Sequence, residues 1–219
     1  MTKTALVVGA SGLVGRALVF ELLKSKDYLK VIVLVRTDLV LKHPKLEQHI
    51  IDFDNLQNYS NIINADDVFC CLGTTYSQTS DKALYRKIDL VYPLTVAQIA
   101  LQNQASHFIM VSAMGADKNS KIFYNRLKGE AEEAILQLNY PSISIVRPAL
   151  LLGSRKKIRP VEQLAQYIFM VINPLMIGPL KMGKAIKAEI VARAMLKLAK
   201  QSKKGKQIYM NNELFDLAK

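Results

Sequence analysis

Ala5-Leu6-Val7-Val8-Gly9-Ala10-Ser11-Gly12-Leu13-Val14-Gly15 joins a short apolar run to the start of a helical pattern through a turn carrying three glycines. The order strand, glycine turn, helix decides the fold. Gly9 permits the tight turn, Gly12 removes the side chain that would stand between the backbone and a phosphate, and Gly15 lets helix and strand pack closely. A helix starting there offers unpaired N–H groups and partial positive charge to an anion. The spacing is GxxGxxG rather than the GxGxxG of the usual dinucleotide fingerprint, so the reading rests on the placement of the glycines between strand and helix.

Working outward, β-branched apolar runs at residues 5–8, 31–35, 50–51, 68–71, 108–111 and 143–146 read as buried strands. They alternate with helical patterns at 13–24, 94–101 and 126–138, in which Leu94, Ala97, Ala100 and Leu101 share one face. Alternation of this kind predicts an α/β chain, a doubly wound parallel-sheet Rossmann fold with a small C-terminal substrate-side subdomain. Residues 1–152 form the expected dinucleotide-binding core. Residues 153–219 are expected as appended segments completing a single domain, with helices near 161–172 and 188–200 and a last strand at 207–210. The stretch 163–180 carries no charge, but Asn173-Pro174 and Gly178-Pro179 interrupt it, so a buried helix followed by a loop is expected rather than a transmembrane span. An interfacial segment stays open.

The 219 residues are 50% apolar and 22% charged, which excludes a disordered or linker protein. Cys70 and Cys71, adjacent and alone, form no disulfide framework and no four-cysteine zinc site. A reducing compartment, and with no signal-peptide pattern a cytoplasmic location, is the expectation. The net charge of +12 is uneven: residues 151–219 hold 14 Lys/Arg against 4 Asp/Glu. That basic third is either a solvated lysine-rich face or a surface for an anionic or protein partner; it carries no specific nucleic-acid motif. His43, His49 and His107 have no companions at ligand spacing, so no metal site is expected, and the absence of GxSxG disfavours a hydrolase.

The chemistry-bearing residues fall at the ends of the predicted strands. Arg36 follows the second strand, where an acidic residue would bind the ribose hydroxyls of NAD; a guanidinium there pairs with a 2′-phosphate instead, so NADP(H) is preferred over NAD(H). Asp52-Phe53 follows the third strand and is placed to border an adenine. After the fourth strand, Gly73 lets backbone approach a ribose and Thr75 offers a hydroxyl. The two thiols read as strand-end packing. Ser112 ends the fifth strand, and Tyr124 and Lys128 stand at i and i+4 on one helix face. A nearby cation favours phenolate, so the expectation is a tyrosine made acidic by its lysine.

These pieces together resemble the short-chain dehydrogenase/reductase superfamily, specifically its atypical branch around the Tat-interacting oxidoreductase family. The resemblance is carried by residues 9–15, Arg36, Cys71-Leu72-Gly73-Thr74-Thr75, residues 112–117 and 124–130, and Arg147-Pro148 running to Arg159-Pro160. It implies that Tyr124 is the general acid/base, that Lys128 bonds the nicotinamide ribose and tunes Tyr124, and that Ser112 binds the cofactor or the substrate oxygen. It implies further that Ser11, Gly12, Leu13 and Val14 wrap the pyrophosphate, that Leu72 and Gly73 meet the ribose, and that Arg159 contacts the cofactor. Relatives often carry two serines at the end of the fifth strand, where this chain has Ser112-Ala113.

Two functions of different classes follow. One is an NADP(H)-dependent oxidoreductase acting on a small carbonyl or alcohol, the substrate lying between Ser112, Tyr124 and the segment after Pro148, with the apolar stretch 169–182 as a lid or as core. The other is a non-catalytic NADP(H)-binding regulatory or assembly protein that uses its basic C-terminal surface for a partner. A sugar-nucleotide epimerase shares the core but needs a larger C-terminal substrate domain. Substrate identity, reaction direction and oligomeric state are not set by these residues.

Overall fold

The computed structural model describes residues 2–75, 79–152, 183–201 and 203–219. Seven parallel strands form one sheet: β1 (Lys3–Val8), β2 (Tyr28–Val35), β3 (Leu46–Ile50), β4 (Asp67–Cys70), β5 (His107–Val111), β6 (Ser142–Arg147) and, last in the chain, a strand over Gly205–Met210. Two further short strands, β7 (Leu151–Leu152) and β8 (Ile186–Lys187), pair with each other, so the last strand is β9. The order across the main sheet is β3-β2-β1-β4-β5-β6-β9. Growth outward in both directions from β1 and β4 is the doubly wound arrangement, and it leaves a crevice at the C-terminal ends of those two strands.

Each strand interior is buried because both sheet faces are covered. On one face α1 (Leu13–Lys24) packs with α5 (Ala188–Gln201) and α6 (Asn211–Leu217), joining Val14, Leu18 and Leu22 to Val191, Met195 and Leu214 in one core. On the other, a 3-10 segment over Phe53–Tyr59, α3 (Tyr92–Gln102) and α4 (Phe123–Leu136) supply Phe53, Val96, Ile99 and Ile135 against Leu6, Ile32, Phe108 and Ile143.

Three elements depart from the sequence expectation. β3 occupies Leu46–Ile50 rather than residues 50–51. As an edge strand of half-buried Glu47, Gln48 and His49, it lacks the apolar run of a central strand. The second helical stretch begins much earlier than residue 94: α2 (Lys82–Arg86) leads through a π-helical turn, Lys87–Val91, directly into α3. Pro93 has no N–H to donate, and the wide turn just before it is where the helical hydrogen-bond ladder shifts register. The helix over Asn211–Leu217 was not foreseen; the Glu213 carboxylate accepts the Met210 N–H at 2.7 Å and caps it. The helix expected near 161–172, the charge-free stretch 163–180 and the lid at 169–182 lie outside the described residues. Among the described residues no helix is long and apolar enough to cross a membrane.

Candidate active site

The C-terminal ends of β1, β2, β4 and β5 bring Gly9, Arg36, Cys71 and Ser112 to one edge of the sheet. Gly9 has φ +80°, and a Cβ there would stand 2.4 Å from the Cys71 carbonyl oxygen. A Cβ on Gly15 would stand 2.2 Å from the Gly9 carbonyl oxygen. The turn therefore closes on β4 and on its own helix at distances only glycine allows. Gly12 precedes α1 and gives it no side-chain cap; its N–H donates to Gly9 O at 3.0 Å, which leaves the first-turn amides of α1 for a ligand. Ser11 and Gly12 are exposed at the mouth of the turn, whereas the Val14 side chain is buried in the core and only its backbone faces the turn.

Arg36 is exposed immediately after β2 and has no ion-pair partner among the described residues. It lies close enough to the Tyr92 phenol to favour its ionised form, opposing Asp54 and Asp52; burial and Asp54 prevail and push that phenol up to about 12. Asp52 turns its carboxylate onto its own segment, accepting from the Asp54 N–H at 3.0 Å and from Asn55 Nδ2 at 2.7 Å. The Phe53 ring is buried against Tyr92. Leu72 is half-buried and Gly73 exposed after β4; Thr75 is half-buried beside them. Arg159 lies outside the described residues.

Around Lys128 the structure supplies what the sequence reading lacked. Lys128 Nζ is buried and lies 2.7 Å from Asp89 Oδ1 in an ion pair. The other oxygen, Oδ2, accepts the Thr74 N–H at 2.8 Å, and the Thr74 carbonyl accepts the Tyr85 hydroxyl at 2.9 Å. A Cβ on Gly73 would sit 3.5 Å from both Lys128 Nζ and Asp89 Oδ1, so the strand-end loop lies directly over the pair. Tyr124 packs edge-on to Tyr85, with ring centroids 6.4 Å apart, and remains 37% exposed. Ser112 is buried, and its hydroxyl has no hydrogen-bond partner among the described residues.

The expected acidic tyrosine is not found. Burial pushes the Tyr124 phenol above its ordinary value of 10; Lys128 pulls it down, and Asp89 pushes it up again. Burial alone would disfavour the Lys128 ammonium, but Asp89 and Tyr124 hold it above its ordinary value, so it stays charged. The physical reason is burial of the phenol, which outweighs the Lys128 cation, with the Asp89 carboxylate beside that cation adding to it. Asp89, Thr74 and Tyr85 are the residues sequence reasoning missed. The available signal was a lone carboxylate inside the apolar run Ile88-Asp89-Leu90-Val91.

The two cysteines are free, and burial raises both thiols, Cys70 to about 11. No cluster of His, Cys, Asp or Glu fit to hold a metal occurs among the described residues. A glycine cradle without room for side chains, an uncapped helix start and an orphaned buried hydroxyl at one sheet edge fit a dinucleotide.

This is the NAD(P)-binding, oxidoreductase-like fold of the atypical short-chain dehydrogenase and epimerase type. The chain belongs to the NAD(P)H-binding family whose model matches residues 9–163. It is similar to protein HTATIP2 of Rattus norvegicus, 33% identical over 198 residues that cover 89% of this chain and 80% of that one. It is also similar to the protein FMP52, mitochondrial, of Eremothecium gossypii, 32% identical over 69% of this chain and 68% of that one. Among solved structures, MoeE5 in complex with UDP-glucose and NAD shares the fold, with a TM-score of 0.71 at 16% identity, covering 96% of this chain and 79% of that one. The oxidoreductase ylbE from Lactococcus lactis does so with a TM-score of 0.68 at 16% identity, over 97% and 95% of the two chains.

Proposed function

We propose that this protein is an NADP(H)-dependent oxidoreductase that reduces a small carbonyl compound, or oxidises the corresponding alcohol, with Tyr124 moving the proton. The observation that carries the reading is the buried Ser112 hydroxyl, unpartnered among the described residues, at the edge shared with the glycine turn and the Lys128 ammonium. A buried polar atom without a partner costs about 1–3 kcal/mol, and a ligand oxygen bonded there recovers it. The bound dinucleotide would supply hydride chemistry. The first-turn amides of α1 would hold its pyrophosphate, Arg36 its 2′-phosphate, and Lys128 its ribose, since one ammonium proton serves Asp89 and two remain.

In a reduction the bound dinucleotide would supply the hydride, with its two electrons, to the carbonyl carbon. The carbonyl oxygen takes the proton of Tyr124, and the phenolate left behind is reloaded from solvent. Ser112 orients the same oxygen, alone, because Ala113 has no hydroxyl. Around this position Met114, Ile122 and Leu150 are exposed at 39%, 62% and 41%, and Met114 N–H donates to Pro148 O at 3.1 Å, which ties two of these segments together. Such a rim favours an apolar substrate.

Calorimetry of NADPH and NADH against wild type and Arg36→Ala tests the cofactor assignment. Charge-assisted bonds to a phosphate are worth about 1.5–3 kcal/mol, so Arg36→Ala should weaken NADPH about 10- to 100-fold and leave NADH nearly unchanged. Turnover of a carbonyl panel should vanish in Tyr124→Phe while NADPH binding persists; undiminished turnover rejects the mechanism.

A second reading is favoured by two observations. Ala113 removes one polarising hydroxyl, and Arg193, Lys197, Lys203, Lys204 and Lys206 are exposed without ion-pair partners among the described residues. On it, the protein binds NADP(H) without turning it over and docks an anionic partner through this face. Binding without turnover, with salt-sensitive retention on a polyanion, would establish it. The compartment we propose is the cytoplasm, on the two free thiols; cell fractionation tests it, with mitochondria, named for the FMP52 relatives, as the alternative outcome.

A further inference from the structure

We propose that Asp89 is a positioning residue: one buried carboxylate neutralises Lys128 and clamps the Thr74 backbone, and thereby reserves Tyr124 for donating a proton rather than accepting one. The inference rests on the reading of Tyr124 as the proton carrier and adds the direction in which the free site is set.

The geometry has three parts. Asp89 is 1% exposed and sits in the π-helical turn, whose irregular ladder places it opposite α4. Its Oδ1 lies 2.7 Å from Lys128 Nζ and its Oδ2 2.8 Å from the Thr74 N–H. The Tyr85 hydroxyl, bonded to Thr74 O, ties the same loop to α2, whose Tyr85 ring then stands against Tyr124. One carboxylate thus sets the height of the ammonium and of the loop that would border the ribose.

The charge balance follows from this arrangement. Lys128 on its own helix, Asp89 on the π-helical turn and Tyr85 on α2 are the titratable groups that act on or pack against Tyr124, and Cys70 at the end of β4 acts on Lys128. Burial keeps the Tyr85 phenol and the Cys70 thiol neutral at physiological pH. That leaves one cation and one anion, in contact. Their fields at the phenol oppose each other, and burial of the phenol decides the outcome in favour of the protonated form. A Lys128 without Asp89 would present an uncompensated charge and favour phenolate, the state an alcohol oxidation requires.

The test uses the full chain without cofactor or substrate, so its outcome is independent of turnover. Tyrosines labelled with 13C at Cζ are titrated by NMR, with Tyr124→Phe assigning the signal. Wild-type Tyr124 should titrate above its ordinary midpoint, and folded Asp89→Asn should ionise at least tenfold more readily. The doubly neutral Asp89→Asn/Lys128→Met removes both charges together and keeps an oxygen for Thr74; its Tyr124 should titrate within about threefold of wild type. An unchanged Tyr124 midpoint in Asp89→Asn, or, should that variant not fold, a double variant shifted more than tenfold upward, overturns the proposal. With carbonyl turnover measured beside it, a moved midpoint without turnover in wild type would refute the oxidoreductase reading while leaving the electrostatic role of Asp89 standing.

Discussion

Alanine at Gly12 and alanine at Gly15 separate what the turn does for a ligand from what it does for the fold. At Gly12 the backbone has ordinary extended angles, φ −74° and ψ 171°, and an added Cβ meets only the Gly9 carbonyl oxygen, at 3.3 Å. The loss of unfolded-chain freedom, about 0.4–1 kcal/mol, roughly offsets the poorer capping by alanine, so stability should stay within about 0.5 kcal/mol of wild type. The methyl group instead occupies the mouth of the turn, where a pyrophosphate must touch backbone. Losing one charge-assisted amide contact there costs about 1.5–3 kcal/mol, or at least tenfold in NADPH affinity.

At Gly15 the added Cβ would lie 2.2 Å from Gly9 O and 2.8 Å from Gly9 C, both backbone, so helix and turn must separate. At backbone contacts this short such overpacking costs about 3 kcal/mol and outweighs the gain in helix propensity of about 1 kcal/mol, because α1, buried against α5, cannot move freely. A net loss of about 2 kcal/mol in a chain of this size lowers the melting temperature by roughly 4–8 °C. Calorimetric titration and thermal unfolding of both variants read the two effects separately. Equal NADPH affinity in Gly12→Ala and wild type would refute the reasoning about the phosphate, and a Gly15→Ala protein melting with wild type would refute the packing argument.

Acid should destabilise the protein through His107, whose imidazole is pushed down to about 4 by burial and by the Lys3 cation. The folded form refuses a proton that the unfolded chain takes up below about 6.5, so stability is lost as pH falls from there toward 4, by about 3 kcal/mol in all. Denaturant unfolding at pH 7 and pH 5 should show a steeper loss in wild type than in His107→Gln, and identical slopes would contradict it. Arg147 grips the buried Glu132 through two bonds of 2.9 and 2.5 Å, fastening α4 to β6; Glu132→Ala should cost about 2–4 kcal/mol in urea unfolding, toward the lower part because the guanidinium keeps some solvent. Cys70, fully buried with its thiol raised to about 11, should react with a thiol reagent at pH 8 only on unfolding; rapid native-state labelling of that residue would show the strand end to be open.

What could be read from the amino-acid order, and what could not, divides along the range of the interactions concerned. Central strands such as Phe108–Val111 and the helix from Leu13 to Lys24 carry their environment in their own composition, and their register follows. β3 does not, because an edge strand of Glu47, Gln48 and His49 has no apolar run to betray it. The glycine turn was legible because its spacing between strand and helix is local, and Gly15 meets Gly9 and Ala10 within the turn; that Gly9 is also pressed against Cys71 of β4 was not. The acidity of Tyr124 was not. Lys128, one helical turn on, suggested a lowered value; burial of the phenol outweighs it, and the carboxylate that opposes it further, Asp89, reaches the site from a different element whose π-helical turn has no sequence period of its own.

The contact between α1 and α5 has a consequence for synthesis. The first helix emerges from the ribosome early, yet the surface it buries against Val191, Met195 and Leu198 does not exist until residues 188–201 have been made. Lys3, reaching the carbonyl of Ala199 at 3.4 Å, draws the same two regions together. At about 5–20 residues per second, a nascent chain carries that apolar flank uncovered for roughly ten seconds or more. The glycine turn at the head of that helix thus spends those seconds beside an uncovered ridge of leucine and valine, Leu18, Val19 and Leu22, that only the late helix closes.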